Sequence, residues 1–177
     1  SINFPSSTFG YMNIKESVSD SELASLGYGY GITMSPFQIA SAYSVFANNG
    51  EYKDFQLIKN EVVTSRKIIS NYAASNVLDA LRKVVKDGTG KAAEIKGFSE
   101  GGKTGTVHKI KKGTGYVEDS YRASFIGITP LSDKSLTIFV SIDEPGLNSY
   151  TGGSVAAPVF AKIAESSLNH LGYFEDE

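Results

Sequence analysis

The chain has 177 residues, enough for one domain or most of one, and at 41% hydrophobic and 20% charged it has the make-up of a globular chain with a core. Its formal net charge of -2 gives no electrostatic reason to expect nucleic acid as a partner, since that affinity rests on neutralising phosphates with Lys and Arg. The absence of cysteine rules out disulfides, thiolate metal sites and a cysteine nucleophile, and two histidines without His-Glu-x-x-His spacing argue against zinc.

Residues 1–27 are rich in Ser and broken by Pro5 and Gly10, which predicts loop with at most one short helix near 19–26. The opening Ser1-Ile2-Asn3-Phe4-Pro5 has neither the basic start nor the apolar run of a signal peptide, and no apolar run approaches the ~18 residues of a membrane span. The chain is therefore expected to begin inside something larger, with any membrane anchor upstream. Gly27, Gly29 and Gly31 alternate with Tyr28, Tyr30 and Ile32, a spacing that weakens a strand and favours a tight bend.

Ser35-Pro36 is a helix start, a hydroxyl N-cap followed by proline at the position where its missing N–H costs nothing. The stripe Ile39, Ala40, Ala42, Tyr43, Phe46 and Ala47 follows, and Asn48-Asn49-Gly50 stops it. A second helix is expected over about 71–87 after Ser70, burying Leu78, Leu81, Val84 and Val85, with Gly88 as C-cap. A third is expected over about 157–171, opened by Pro158 and closed by Gly172, with Val159, Phe160, Ile163, Ala164, Leu168 and Leu171 on one face.

Between the last two helices the period changes to two. Thr104 to Ile110, Arg122 to Thr129 and Leu136 to Asp143 read as three strands with short connections, hence an antiparallel meander. The stretch Lys111 to Ser120 reads as an exposed charged loop, and Lys109, Lys111 and Lys112 as its solvated cluster. The expected class is α/β of the α+β type, a mostly antiparallel sheet flanked by helices.

The chemistry-bearing stretch is Gly101-Gly102-Lys103-Thr104-Gly105-Thr106. Gly97, Gly102, Lys103 and Thr104 satisfy Gly-x-x-x-x-Gly-Lys-Thr by letter, but a phosphate loop needs a helix behind it, and Gly105 to Lys109 are strand formers. On a strand at a cleft edge, a cationic Lys103 and the Thr104 hydroxyl would hold a carboxylate. Gly105 would leave room for an extended peptide, and the Thr106 backbone N–H would serve an oxyanion.

Other stretches accompany this motif. They are Gly29-Tyr30-Gly31 leading to Ser35-Pro36-Phe37-Gln38-Ile39-Ala40, the turn Gly88-Thr89-Gly90, Tyr121-Arg122-Ala123-Ser124-Phe125, and Tyr150-Thr151-Gly152-Gly153 through Ala157-Pro158-Val159-Phe160. In this order they resemble the C-terminal part of the transpeptidase domain of class B penicillin-binding proteins, over nearly the whole chain. Gly29-Tyr30-Gly31 is more similar to the septal, cell-division type.

The resemblance implies the serine β-lactamase and penicillin-binding fold, and a serine D,D-transpeptidase cross-linking stem peptides outside the inner membrane. It implies Lys103, Thr104, Gly105 and Thr106 as active-site residues, Gly102, Arg122 and Tyr150 as substrate contacts, and no metal or organic cofactor. Implied partners are the peptidoglycan stem peptide, β-lactams, the missing N-terminal part of the same domain and other division proteins. Membrane contact would run only through an absent anchor.

The family's nucleophile lies in Ser-x-x-Lys, and no lysine here has serine three residues before it. Ser1-Ile2-Asn3 matches the family's Ser-x-Asn by letter but lies too close to Gly29 to be that element. The chain alone is thus expected to be inactive. A non-catalytic interaction module of the same fold is the alternative. His108 reads as a strand-surface residue, His170 as exposed near a helix C-terminus, Arg122 as a partner of Glu118 or Asp119, and Ser124 and Ser154 as non-nucleophilic.

Overall fold

A computed structural model describes residues 10–12, 17–59, 62–111, 115–132, 134–146 and 148–173. In chain order these form β1 (Tyr11–Met12), α1 (Asp20–Gly27), β2 (Ile32–Thr33), α2 (Pro36–Ala47), β3 (Glu51–Lys53), β4 (Ser65–Lys67) and α3 (Asn71–Lys86). A 3-10 turn (Lys91–Ala93) then precedes β5 (Gly101–Lys111), β6 (Gly115–Thr129) and β7 (Leu136–Asp143), and a π-helical turn (Gly152–Ala156) leads into α4 (Ala157–Leu171).

Local chemistry sets the helix starts. Ser35 accepts from the Gln38 N–H while Gln38 reaches back to the Ser35 N–H, a capping box that satisfies two otherwise orphaned donors. Ser19 and Glu22 repeat the device at α1, and Ser70 caps α3 through the Ala73 N–H. Between α1 and β2 the chain bends at Gly29 and Gly31, with φ of 87° and 77°, conformations that a side chain disfavours. This is the expected bend, and two residues beyond it pair with β1 as a minimal strand.

The expected meander is present, in the order β5-β6-β7 and antiparallel throughout. Register fixes its two faces. Phe125 packs on Phe160 of α4 with ring centroids 5.0 Å apart, so odd-numbered β6 residues face α4. Ile128 lies with Ala47 and Leu78, so even-numbered ones face α2 and α3. A core cluster joins Val85, Ala93, Ile95, Phe125, Val140, Ala156, Ala157, Phe160 and Ala164 across these layers. No helix among the described residues is long and apolar enough to cross a membrane.

Several expectations need correcting. Within the stretch expected as a loop from Lys111 to Ser120, Lys111 and residues 115–120 are strand: β5 continues to Lys111 and β6 starts at Gly115, forming a ribbon with an irregularity between His108 and Ile110. Residues 112–114, Lys112 among them, lie outside the described residues. The C-cap of α3 is Asp87, with Gly88 one residue beyond it against the Val84 carbonyl. Of the expected α3 face, Leu81 and Val85 are buried, while Leu78 and Val84 are half-buried.

In α4 the buried stripe is Ala157, Phe160, Ala164 and Leu168, whereas Val159, Ile163 and Leu171 are 38%, 44% and 55% exposed. The described sheet covers only one side of the helix. Ile163 and Leu171 instead line an open groove of about 460 Å³ with Leu136 and Ile138.

Candidate active site

The motif lies on a strand with no helix behind it. Lys103, Thr104, Gly105 and Thr106 are successive residues of β5, paired with Ile126, Phe125, Ser124 and Ala123 of β6. That geometry removes the phosphate-loop alternative, which requires the lysine and threonine to open a helix. Among the described residues nothing pairs with the other side of β5, so its outward N–H and C=O groups are open to an added strand.

Because side chains alternate, the motif residues divide between two faces. On the face toward α2 and α3, the exposed Lys103 ammonium donates to the Thr104 carbonyl at 2.9 Å, which leaves two further N–H bonds for an anion. Gly105 follows on the same face, where an added Cβ would lie 2.5 Å from the Ser124 hydroxyl. Further along, Arg122 pairs with Asp143 (Nε to Oδ1 3.1 Å), and Asp143 also binds Lys109 at 3.0 Å. The expected partner Asp119 is therefore corrected to Asp143, its cross-strand neighbour on β7. The Glu118 side chain lies outside the described residues.

On the other face, Thr104 and Thr106 are held from two sides. The Thr104 and Thr89 hydroxyls are 2.9 Å apart, and Thr106 Oγ1 accepts from the Gly152 N–H at 3.0 Å. Gly152 and Gly153 press this turn onto β5. A Cβ at Gly152 would lie 2.6 Å from the Gly105 carbonyl oxygen and 3.0 Å from its nitrogen, and one at Gly153 3.6 Å from the Thr104 methyl. Beyond them Tyr150 stacks on Tyr121 with centroids 4.2 Å apart and a 21° interplanar angle, and His108 tilts onto Tyr121 at 4.3 Å. His108 is exposed on the strand, as expected, and it joins a three-ring cluster beside the motif.

Gly102, expected to contact substrate, is buried, with a Cβ position that would overlap the Phe125 ring and lie 2.7 Å from the Ile126 carbonyl oxygen. Close packing against β6 explains why only glycine fits there. Sequence reasoning gave no role to Thr89 or to Gly152, although both stand in stretches that carried the resemblance. It also passed over Glu100, which lies 4% exposed at the root of β5. No cluster of His, Cys, Asp and Glu suited to a metal occurs among the described residues.

Electrostatics near the ribbon end are surface electrostatics. Hydrogen bonds from Lys109 hold the Asp143 and Glu144 carboxyls below their ordinary values, with Arg122 adding to the effect on Asp143. The same bonds hold the Lys109 ammonium above its own.

The family model for the penicillin binding protein transpeptidase domain matches residues 1–165. The chain belongs to this transpeptidase family. Its relatives include the probable peptidoglycan D,D-transpeptidase PbpC of Pseudomonas aeruginosa, 36% identical over 97% of this chain and 30% of that protein. The transpeptidase domain of Burkholderia pseudomallei penicillin-binding protein 3 superposes with a TM-score of 0.88 at 33% identity, covering all of this chain and 54% of that one. Penicillin-binding protein 3 of Mycobacterium tuberculosis, solved in complex with aztreonam, superposes at 0.84 with 26% identity, over 99% of this chain and 44% of that one. The transpeptidase chain thus spans about a third of the length of the curated relative and about half of the solved domain. The α+β class with an antiparallel sheet, expected from the periodicities, is the architecture of these neighbours.

Proposed function

We propose that this chain is the C-terminal portion of a peptidoglycan D,D-transpeptidase domain and forms the substrate-holding wall of its active site. The carrying observation is the motif strand: an edge unpaired among the described residues, a cationic Lys103, and two threonines anchored by the Thr89 and Gly152 turns. An extended stem peptide lies along the edge of β5. Its carboxylate meets Lys103 and the Thr104 hydroxyl, and the absent side chain of Gly105 admits the acyl donor. A backbone N–H near Thr106 stabilises the oxyanion as the serine, supplied from outside these 177 residues, attacks. Tyr150 and Arg122 bound the groove on opposite faces of the strand.

β-Lactams react as mimics of the acyl donor. The activity serves septal wall synthesis on the extracytoplasmic side of the inner membrane, with the remaining domain portion and other division proteins as partners. The test is acylation of the full-length protein by a fluorescent penicillin. Lys103→Ala is expected to lower the second-order acylation rate on the order of 100-fold without altering thermal unfolding. An unchanged rate would remove Lys103 from the site.

A further inference from the structure

Glu100 places a carboxyl where the fold leaves almost no water. It directly precedes β5, is 4% exposed, and accepts a long hydrogen bond of 3.4 Å from the Ile95 N–H. The residues after it have no slack. A Cβ on Gly101 would lie 3.0 Å from the Arg82 backbone nitrogen of α3, and one on Gly102 would overlap the Phe125 ring and lie 2.7 Å from the Ile126 carbonyl oxygen. Any outward swing of Glu100 therefore pulls on the root of the strand that presents Lys103 three residues later.

The charged groups facing it are Arg82 and Lys86 from α3 and Glu94 from the segment after the 3-10 turn. Burial outweighs the Ile95 hydrogen bond and the two cations, with Glu94 adding to it, and pushes the carboxyl from its ordinary 4.5 up to about 7.

We propose that Glu100 is a positioning residue whose protonation governs how firmly the start of the motif strand is seated, and so how Lys103 is presented. The last clause rests on the function proposed above; the seating itself does not. When residues 95–103 open, Glu100 regains water and titrates near 4.5, whereas seated it titrates near 7. Seating is therefore firmest below pH 4.5. It weakens about tenfold per pH unit between the two values and levels off above the upper one.

Hydrogen exchange of the peptide 95–103, measured by mass spectrometry in the intact protein that carries this chain, tests this after correction for intrinsic exchange rates. Protection in the wild type is expected to fall on the order of thirtyfold between pH 5 and pH 7 and to change little by pH 8. Glu100→Gln, which cannot ionise, is expected to stay flat. Matching pH profiles in the two proteins overturn the proposal. Should the variant not fold, a carbon-13 titration of the wild-type Glu100 carboxyl decides: a midpoint near 7 supports the proposal and one near 4.5 overturns it. Penicillin acylation on the same samples separates the two readings. A wild type that never acylates removes the transpeptidase function, and the exchange profile still decides on Glu100.

Discussion

Replacing Gly152 with alanine puts a methyl group into a space occupied by backbone. The new Cβ would overlap the Ser124 carbonyl oxygen and lie 2.6 Å and 3.0 Å from the Gly105 oxygen and nitrogen, none of which can rotate away. The turn must lift off β5, losing the hydrogen bond from the Gly152 N–H to Thr106, worth about 1 kcal/mol. Overpacking adds about 1–3 kcal/mol, for a total of about 2–4 kcal/mol. In a domain about twice as long as this chain, like the solved relative, that is a fall in melting temperature on the order of 5 °C. Gly27→Ala is the control: nothing lies within 4 Å of its Cβ position, and the site ends a helix. Differential scanning fluorimetry of the intact protein compares the two. Gly152→Ala melting within about 1 °C of Gly27→Ala would refute the claim that this turn is clamped onto the motif strand.

Three further outcomes are expected. Ser35→Ala removes one half of the α2 capping box and should lower unfolding stability by about 1 kcal/mol in urea titrations, with Ser35→Thr largely retaining it. Asp143→Asn frees Arg122 and one contact of Lys109, yet these are solvent-screened surface pairs, with the Asp143 and Arg122 side chains 52% and 54% exposed, so stability at pH 7 should match wild type within error. Since the Asp143 carboxyl is held low, what little it contributes is present above its ordinary value and is lost as the solution becomes more acidic. Residues 1–177 incubated alone with a penicillin should show no mass increase, because no Ser-x-x-Lys is present; a stoichiometric adduct would place a nucleophile within them.

What was legible in the sequence is what short-range chemistry decides. Ser35-Pro36 and Ser70 mark helix starts because the cap forms within three residues, and these starts are where the structure has them. The meander was legible because alternation and short connections leave few other topologies. Failures begin where a partner lies far along the chain. The α4 stripe has six apolar residues on a broad face, and only the sheet decides that Phe160 and Ala164 turn inward while Ile163 and Leu171 do not. Nearby acids are what the sequence offers Arg122, but its partner Asp143 is 21 residues away and brought beside it by β6–β7 register. β3 and β4, three residues each, have too little pattern to announce a strand. The Lys103-Thr104-Gly105 motif was readable, but its supports at Thr89 and Gly152, 15 and 46 residues from their partners, were not.

The two-faced arrangement of β5 also bears on why the site is an edge strand. A central strand has neighbours on both sides, and its backbone groups are consumed by pairing. Here one side of β5 is spent on β6, and the other is free among the described residues. A ligand pairing with that free edge would meet side chains from both faces at once, Lys103 and Gly105 on one and Thr104 and Thr106 on the other. Such a strand must resist bending toward its ligand. It is braced by the Gly152 turn over Thr106, by Thr89 at Thr104, and by α3 against Gly101. The bracing contacts named here sit beside the motif, and among the described residues the ion pairs of Lys109 and Arg122 lie farther along, toward the ribbon. These bracing contacts fall on the stretch that the proposed function assigns to holding a carboxylate, which is where a fixed geometry would matter most.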